Sequence, residues 1–361
     1  PFAFSFPGGD TASALAAGCP VVVKAHPSHP GTNTLSQRVM SEAARAAGAP
    51  DGLLGLVHGQ QAGVALVQAP EVTAVGFTGS TGAGEALMAA IAERDVPIPF
   101  FGELSSINPV VVTRAAAAER AREIGEGLAT SVTGSSGQLC TKPGLVLVPT
   151  GAEGDAVVEA MATAMGGAAT VPLLNSRIRD SYLEITEDYA GTAGVQQVAS
   201  GDAGEEGFRV GPALFQADAS DLDPQDVKEI FGPASLVVRW DSTEQLEGVL
   251  AGVEDSLTAT VQTGSDEGSE LAPLTSTLQA HAGRILFNAY PTGVAVSWAQ
   301  HHGGPWPATN TQHTSVGATA IRRFLRPVVF QNAPQEVLPP ELRDDATDLP
   351  RRVDGKLVLP A

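Results

Sequence analysis

Cysteine is almost absent from this 361-residue sequence: only Cys19 and Cys140 are present. Two thiols exclude a disulfide framework. A thiol kept for chemistry needs a reducing compartment, so a cytoplasmic location is expected. Basic residues are also scarce. Lys and Arg total 21 against 40 Asp and Glu, and the net charge of -19 gives a surface that repels phosphate backbones, which argues against nucleic acid as a partner. No run of 18 apolar residues occurs, so no membrane-spanning helix and no membrane partner is expected. No repeat of fixed period is found. The first residue is Pro1 rather than Met, and the chain reads as cut at its start, with any targeting signal upstream of it.

What is present supports a folded α/β protein. Apolar residues make up 43% of the chain, enough for a sizeable core. "PVVVK" (20–24), "GLLGLVHG" (52–59), "VTAVGFTGS" (72–80) and "IPFFGEL" (98–104) read as strands. Helical spacing separates them at 33–48, 61–68 and 80–95. Strand and helix alternating at this distance predict a parallel sheet covered on both faces. Farther on, "NPVVVT", "GLVLVPT", "ASLVVRW", "LTATVQT" and "GRILFN" read as strands, and residues 153–165 as a helix. "RRFLRPVVFQ" (322–331) is apolar and interrupted by Pro327, which suits an edge strand added to another sheet.

Five short stretches carry chemistry. "GSSGQLCTKPG" sets Cys140 among small and polar residues, where a nucleophile has room for a substrate. "FFGEL" ends a strand on Glu103, and its apolar boundary predicts a carboxyl raised towards neutrality, suited to a general base. "VVVKAHPSHPG" ends a strand on Lys24, where parallel sheets bind ligands. "GFTGSTGAGEAL" passes from strand to helix through Gly79 and Ser80, a shape that admits a phosphate. "KEIFGP" offers Glu229 to a ribose and Phe231 to a flat ring. Each also has a plain structural reading: a loop thiol, an exposed glutamate, a solvated lysine, a helix cap. Cys19 adjoins aliphatics and reads as a buried small hydrophobe. His26 and His29 are separated by prolines and make a poor metal pair, and "HHGG" at His301 and His302 reads as a loop, so no metal site is expected.

Taken in order, these stretches resemble the aldehyde dehydrogenase family over nearly the whole chain. "PFFGELSSINPVVV", "GQLCTKPGL", "GRILFNAYPTGVAVSWAQHHGGPWPAT" and "TSVGATAIRRFLRPV" resemble its branch of 2,5-dioxopentanoate (α-ketoglutarate semialdehyde) and NADP-linked long-chain aldehyde dehydrogenases. The resemblance implies that Cys140 attacks the aldehyde, giving a thiohemiacetal and then a thioester. It makes Glu103 the base that activates water. It assigns NADP or NAD to Lys24, Gly79, Ser80, Glu229 and Phe231. It implies a Rossmann-like cofactor domain at 1–103 with its N-terminal part missing and a catalytic domain at 104–300. A return to the cofactor domain at 301–321, an oligomerisation strand at 322–332 and a tail at 333–361 complete it, with a dimer or tetramer as the full-length state.

Two departures shape the expectation. The family's oxyanion-hole asparagine falls just upstream of Pro1, leaving the Cys140 N–H as donor; losing one such donor costs about 10²–10³ in rate. No acidic residue follows Lys24 in "KAHPSHPG", so a 2′-phosphate meets no repulsion, and Lys24 with His26 favours NADP being tolerated. The expected reaction is oxidation of 2,5-dioxopentanoate or a related semialdehyde. A long-chain aldehyde and a catalytically silent nucleotide-binding fragment stand as alternatives. Acyl transfer to coenzyme A would leave Glu103 without a task. Arg284 reads either as a partner for a substrate carboxylate or as a surface residue.

Overall fold

The computed structural model describes residues 6–204 and 206–360, in two compact units divided after Phe324. The first unit begins with α1 (Gly9–Ala16), β1 (Val21–Lys24), α2 (Pro30–Ala46), β2 (Leu54–Val57), α3 (Gln60–Gln68), β3 (Val75–Thr78), α4 (Thr81–Ala92) and β4 (Phe100–Glu103). The alternation read from the sequence is therefore present. Its strands form two separate parallel pairs, β1 with β2 and β3 with β4. Pro30 opens α2 at a position where its missing N–H costs nothing.

The remainder is built on β5 (Val110–Val112), α5 (Arg114–Thr133), β6 (Leu145–Pro149), α6 (Ala152–Gly166), α7 (Ser176–Gly191), β7 (Gln196–Ser200), β8 (Ala213–Asp218), β9 (Ala234–Trp240), α8 (Thr243–Gly252), β10 (Ser256–Gln262), α9 (Ala272–His281) and β11 (Ala282–Phe287). Seven strands make one sheet in the order β11-β10-β5-β6-β9-β8-β7, parallel except for β7. Its central strands are buried on both faces and read as continuous valine and leucine runs. Alternate residues feed two cores: Val111, Leu145 and Leu147 on one face, Val110, Val112, Val146 and Val148 on the other. On the second face α5 and α6 pack closely, because a Cβ at Gly125 would stand 2.6 Å from the Val157 carbonyl. Side chains cap three helices: Thr113 accepts from Ala116, Asn175 from Ile178 and Ser242 from Gln245.

The strand expected over 322–332 does not form within the chain. Arg322 and Arg323 lie in a 3₁₀ helix (Ala318–Phe324), and residues 325–330 join no ladder among the described residues. Arg323 instead goes inside: it is buried, pairs with Asp10 and lies over the Phe101 and Phe324 rings. A guanidinium held this way cannot sit in an edge strand. The second unit contains a hairpin of β12 (Arg351–Val353) and β13 (Lys356–Val358). Asp354 and Gly355 turn it, both at positive φ, as a two-residue hairpin requires.

Candidate active site

The Cys140 turn is forced by unusual backbone. Ser135, Ser136 and Gly137 follow one another at φ of 52°, 51° and 68°. Gly137 must lack a side chain, since a Cβ would strike the Gly232 carbonyl, and this close approach sets the turn against the Phe231–Gly232 segment. Ser136 Oγ donates to the Val171 carbonyl at 2.8 Å, and Gln138 Oε1 accepts from Leu174 N at 2.8 Å. From below, the buried Asn108 amide donates to the carbonyls of Cys140 (2.9 Å) and Lys142 (3.1 Å). Its own Oδ1 accepts from Ser106 Oγ (2.7 Å) and Thr258 Oγ1 (3.1 Å), which ties the turn to β10.

Glu103 ends β4, at the carboxyl end of a parallel strand. Residues 308–310 run along it: Leu104 N donates to the Ala308 carbonyl, and Gly102 N to Asn310 Oδ1. That segment brings a group the sequence did not identify. His302 Nε2 lies 3.0 Å from Glu103 Oε1 and 3.6 Å from Cys140 Sγ. Ser315 Oγ donates to Glu103 Oε2 at 2.7 Å. His302 N donates to Thr314 Oγ1 at 2.9 Å, which fixes the loop bearing the ring. Reading "HHGG" as a plain loop was correct for the backbone and wrong for the His302 side chain.

The electrostatics correct a second expectation. Burial by itself would raise the Glu103 carboxyl, but hydrogen bonds and charge from His302, with the Ser315 and Cys140 hydrogen bonds, hold it below its usual range. Burial pushes the Cys140 thiol up, and the negative charge of Glu103 pushes it further. At rest the pair is therefore carboxylate and thiol, with the imidazole between them. His302 Nδ1 is buried and has no hydrogen-bond partner among the described residues.

The expected cofactor residues divide. Ser80 caps α4 without using its side chain on the helix, and a Cβ at Gly82 would meet nothing within 4 Å. Thr81 N reaches Ser105 Oγ at 3.4 Å, and Ser105 in turn hydrogen-bonds Glu229. Gly79 N donates to the Glu103 carbonyl, and a Cβ at Gly79 would stand 2.6 Å from the Phe77 ring. Gly79 is thus tied to Glu103 and the start of α4, through Ser105, to Glu229, while Ser80 lies between them in sequence and Phe231 adjoins the Gly232 that the Cys140 turn touches. A helix N-terminus next to a carboxylate able to hold ribose hydroxyls fits a nicotinamide dinucleotide. Burial raises the Glu229 carboxyl, and Lys142, pulled down to about 8 by burial, lies beside it and donates to the Ala234 carbonyl at 2.7 Å. Lys24 ends β1, with its aliphatic stem over Gly63. His26 is pulled down to about 4, chiefly by burial, and stays neutral near pH 7, so it gives no cation to a 2′-phosphate. Arg284 on β11 donates to the carbonyls of Gly293 (2.9 Å) and Pro291 (3.0 Å), and its buried Nε has no partner.

A sequence model of the aldehyde dehydrogenase family matches residues 1–326. The chain is 44% identical to α-ketoglutaric semialdehyde dehydrogenase 2 of Azospirillum brasilense and 40% identical to α-ketoglutaric semialdehyde dehydrogenase of Acinetobacter baylyi. Each alignment covers 99% of this chain and 69% of the relative. Among solved structures, aldehyde dehydrogenase from Bacillus cereus superposes with a TM-score of 0.71 at 25% identity, over 88% of this chain and 63% of that one. Proline utilization A of Bradyrhizobium japonicum gives 0.75 at 26%, over 88% of this chain and 32% of that one. The match over residues 1–326, with two relatives at 44% and 40% identity over nearly the whole chain, leads to one conclusion: the chain belongs to the aldehyde dehydrogenase family.

Proposed function

We propose that this chain oxidises a semialdehyde, α-ketoglutarate semialdehyde (2,5-dioxopentanoate), to the carboxylate with NAD or NADP. The observation that carries the reading is the contact of Cys140, His302 and Glu103, with Sγ 3.6 Å and Oε1 3.0 Å from one imidazole nitrogen. His302 stands where it can take the thiol proton and return it when the sulfur is released, so sulfur becomes nucleophilic as it bonds to the aldehyde carbon and the Glu103 carboxylate stays free for water. A nicotinamide bound at the α4 N-terminus, Glu229 and Phe231 would supply the acceptor for the hydride that leaves that carbon. Glu103 then takes a proton from water as the water adds to the thioester. The carboxylate is released and the Cys140 thiol restored. Ser315 keeps the Glu103 carboxylate turned towards this position.

The names of the two similar dehydrogenases supply the substrate, and Arg284 supports it. Burial lowers the pKa of its guanidinium, a Cys140 thiolate would raise it, and its partners among the described residues are the Gly293 and Pro291 carbonyls, so its charge is left for an anion. Assembly through residues 325–330, where Val328, Val329 and Phe330 are exposed, accompanies this reading. The test is formation of reduced nicotinamide by the purified chain with 2,5-dioxopentanoate and with decanal. Turnover favouring the semialdehyde and abolished in Cys140→Ala supports the proposal. Equal turnover in the variant, or preference for decanal, refutes it.

A further inference from the structure

We propose that Cys140, His302 and Glu103 also form a reversible, inhibitory Zn²⁺ site. Their sulfur, nitrogen and oxygen atoms all lie within 4.8 Å of one another. They are the three donor types zinc takes. A tetrahedral ion with Zn–S of about 2.3 Å and Zn–N of about 2.0–2.1 Å holds its sulfur and nitrogen about 3.5–3.6 Å apart. Cys140 Sγ and His302 Nε2 are already 3.6 Å apart. That spacing needs no change, and the 3.0 Å pair of His302 Nε2 and Glu103 Oε1 need open by only about 0.3 Å as their hydrogen bond gives way to the ion. A thiolate and a carboxylate together balance its two charges, and Ser315 fixes one carboxylate oxygen so that the other faces inward. Three protein ligands leave a fourth position for water, and the partly exposed Cys140 gives a way in.

The surroundings also set the affinity. A metal-bound histidine ordinarily donates from its second nitrogen to an acceptor. His302 Nδ1 has none among the described residues. Binding would leave that N–H buried and unpaired, so the ion is held loosely enough for a chelator to remove. On binding, the Cys140 S–H bond breaks, its proton goes to solvent, and a sulfur–zinc bond forms; nothing is oxidised. Sulfur bonded to zinc is a much weaker nucleophile, and the ion occupies the space a carbonyl carbon needs beside it, so turnover stops. Mg²⁺, which takes oxygen ligands and dehydrates reluctantly, should not compete.

The inhibition rests on the oxidation proposed above; the binding does not, and the experiment separates them. The whole chain is treated with ZnCl₂ or MgCl₂, and iodoacetamide labelling of Cys140 is followed by peptide mass. Co²⁺ is then added in place of Zn²⁺ to look for a thiolate-to-cobalt absorption band. Zinc should slow labelling of Cys140 at least about tenfold, EDTA should restore it, and His302→Asn or Glu103→Gln should weaken the protection at least about tenfold. Using two variants covers the loss of one through misfolding. The same zinc should abolish turnover reversibly. Protection without turnover under any condition supports the site and sinks the oxidation. Unchanged labelling, equal protection in both variants, or no cobalt band overturns the site.

Discussion

Asn108 braces the Cys140 turn from beneath, and its truncation gives a quantitative test. Asn108→Ala removes the donor from the Cys140 and Lys142 carbonyls and the acceptor from Ser106 Oγ and Thr258 Oγ1. Asn108 is 1% exposed, so solvent cannot readily replace it. Each buried group left unpaired costs about 1–3 kcal/mol. Cys140 is partly exposed, while Ser106, Lys142 and Thr258 are buried, so three groups bear most of the cost, at about 1 kcal/mol each. Asn108 also sits at φ 56°, where alanine adds about 1 kcal/mol of strain that asparagine tolerates and glycine avoids. The sum is a loss of about 4 kcal/mol, and Asn108→Gly should regain about 1 kcal/mol of it. Urea unfolding of the three proteins measures both differences. Because the same bonds aim Cys140, a displacement near 1 Å should lower kcat by about 10²-fold. A loss in Asn108→Ala below 1 kcal/mol with kcat unchanged would refute this account of the turn.

Two further outcomes follow. Arg284→Met should lower kcat/KM for 2,5-dioxopentanoate by about 10–100-fold, the worth of a charged hydrogen bond, while pentanal is hardly affected; equal losses on both substrates would make Arg284 a loop anchor only. His26 has its folded pKa depressed from 6.5 to about 4, so below pH 6.5 the unfolded chain takes up the proton the folded chain refuses. Its contribution is therefore complete above pH 6.5 and lost as the pH falls towards 4. The melting temperature should drop less steeply over that window in His26→Gln than in the parent chain, as read by thermal unfolding in matched buffers.

The sequence exposed the parts of this protein that depend on neighbours along the chain. Runs such as 145–149 and 234–240 are apolar enough to be buried on both faces, and both are strands. Cys140 and Glu103 stood out because a thiol among glycines and a glutamate after two phenylalanines break local pattern. The helix at Ser176–Gly191 was missed although Asn175 caps it, because its stretch is crowded with charge. The hairpin at Arg351–Val358 was missed despite the Asp-Gly pair that signals it. His302 was beyond local reading: its partners lie 162 and 199 residues away, and nothing in "HHGG" tells which ring turns inward. The direction of the Glu103 shift was misjudged for the same reason, since burial was legible and the His302 and Ser315 hydrogen bonds were not. Arg323 was likewise beyond local reading: it stands in a strand-like run, and its partner Asp10 lies at the other end of the chain.

The central claim is that Cys140 and Glu103 act in succession on one carbon. Glu103→Gln, mixed with 2,5-dioxopentanoate and NADP, separates the two acts in a single mass measurement with the reduced nicotinamide counted alongside. The account predicts an acyl group accumulating on the Cys140 peptide, matched by about one reduced nicotinamide per chain and then a stall. Steady turnover at the parent rate, or no acyl mass on Cys140, would contradict it.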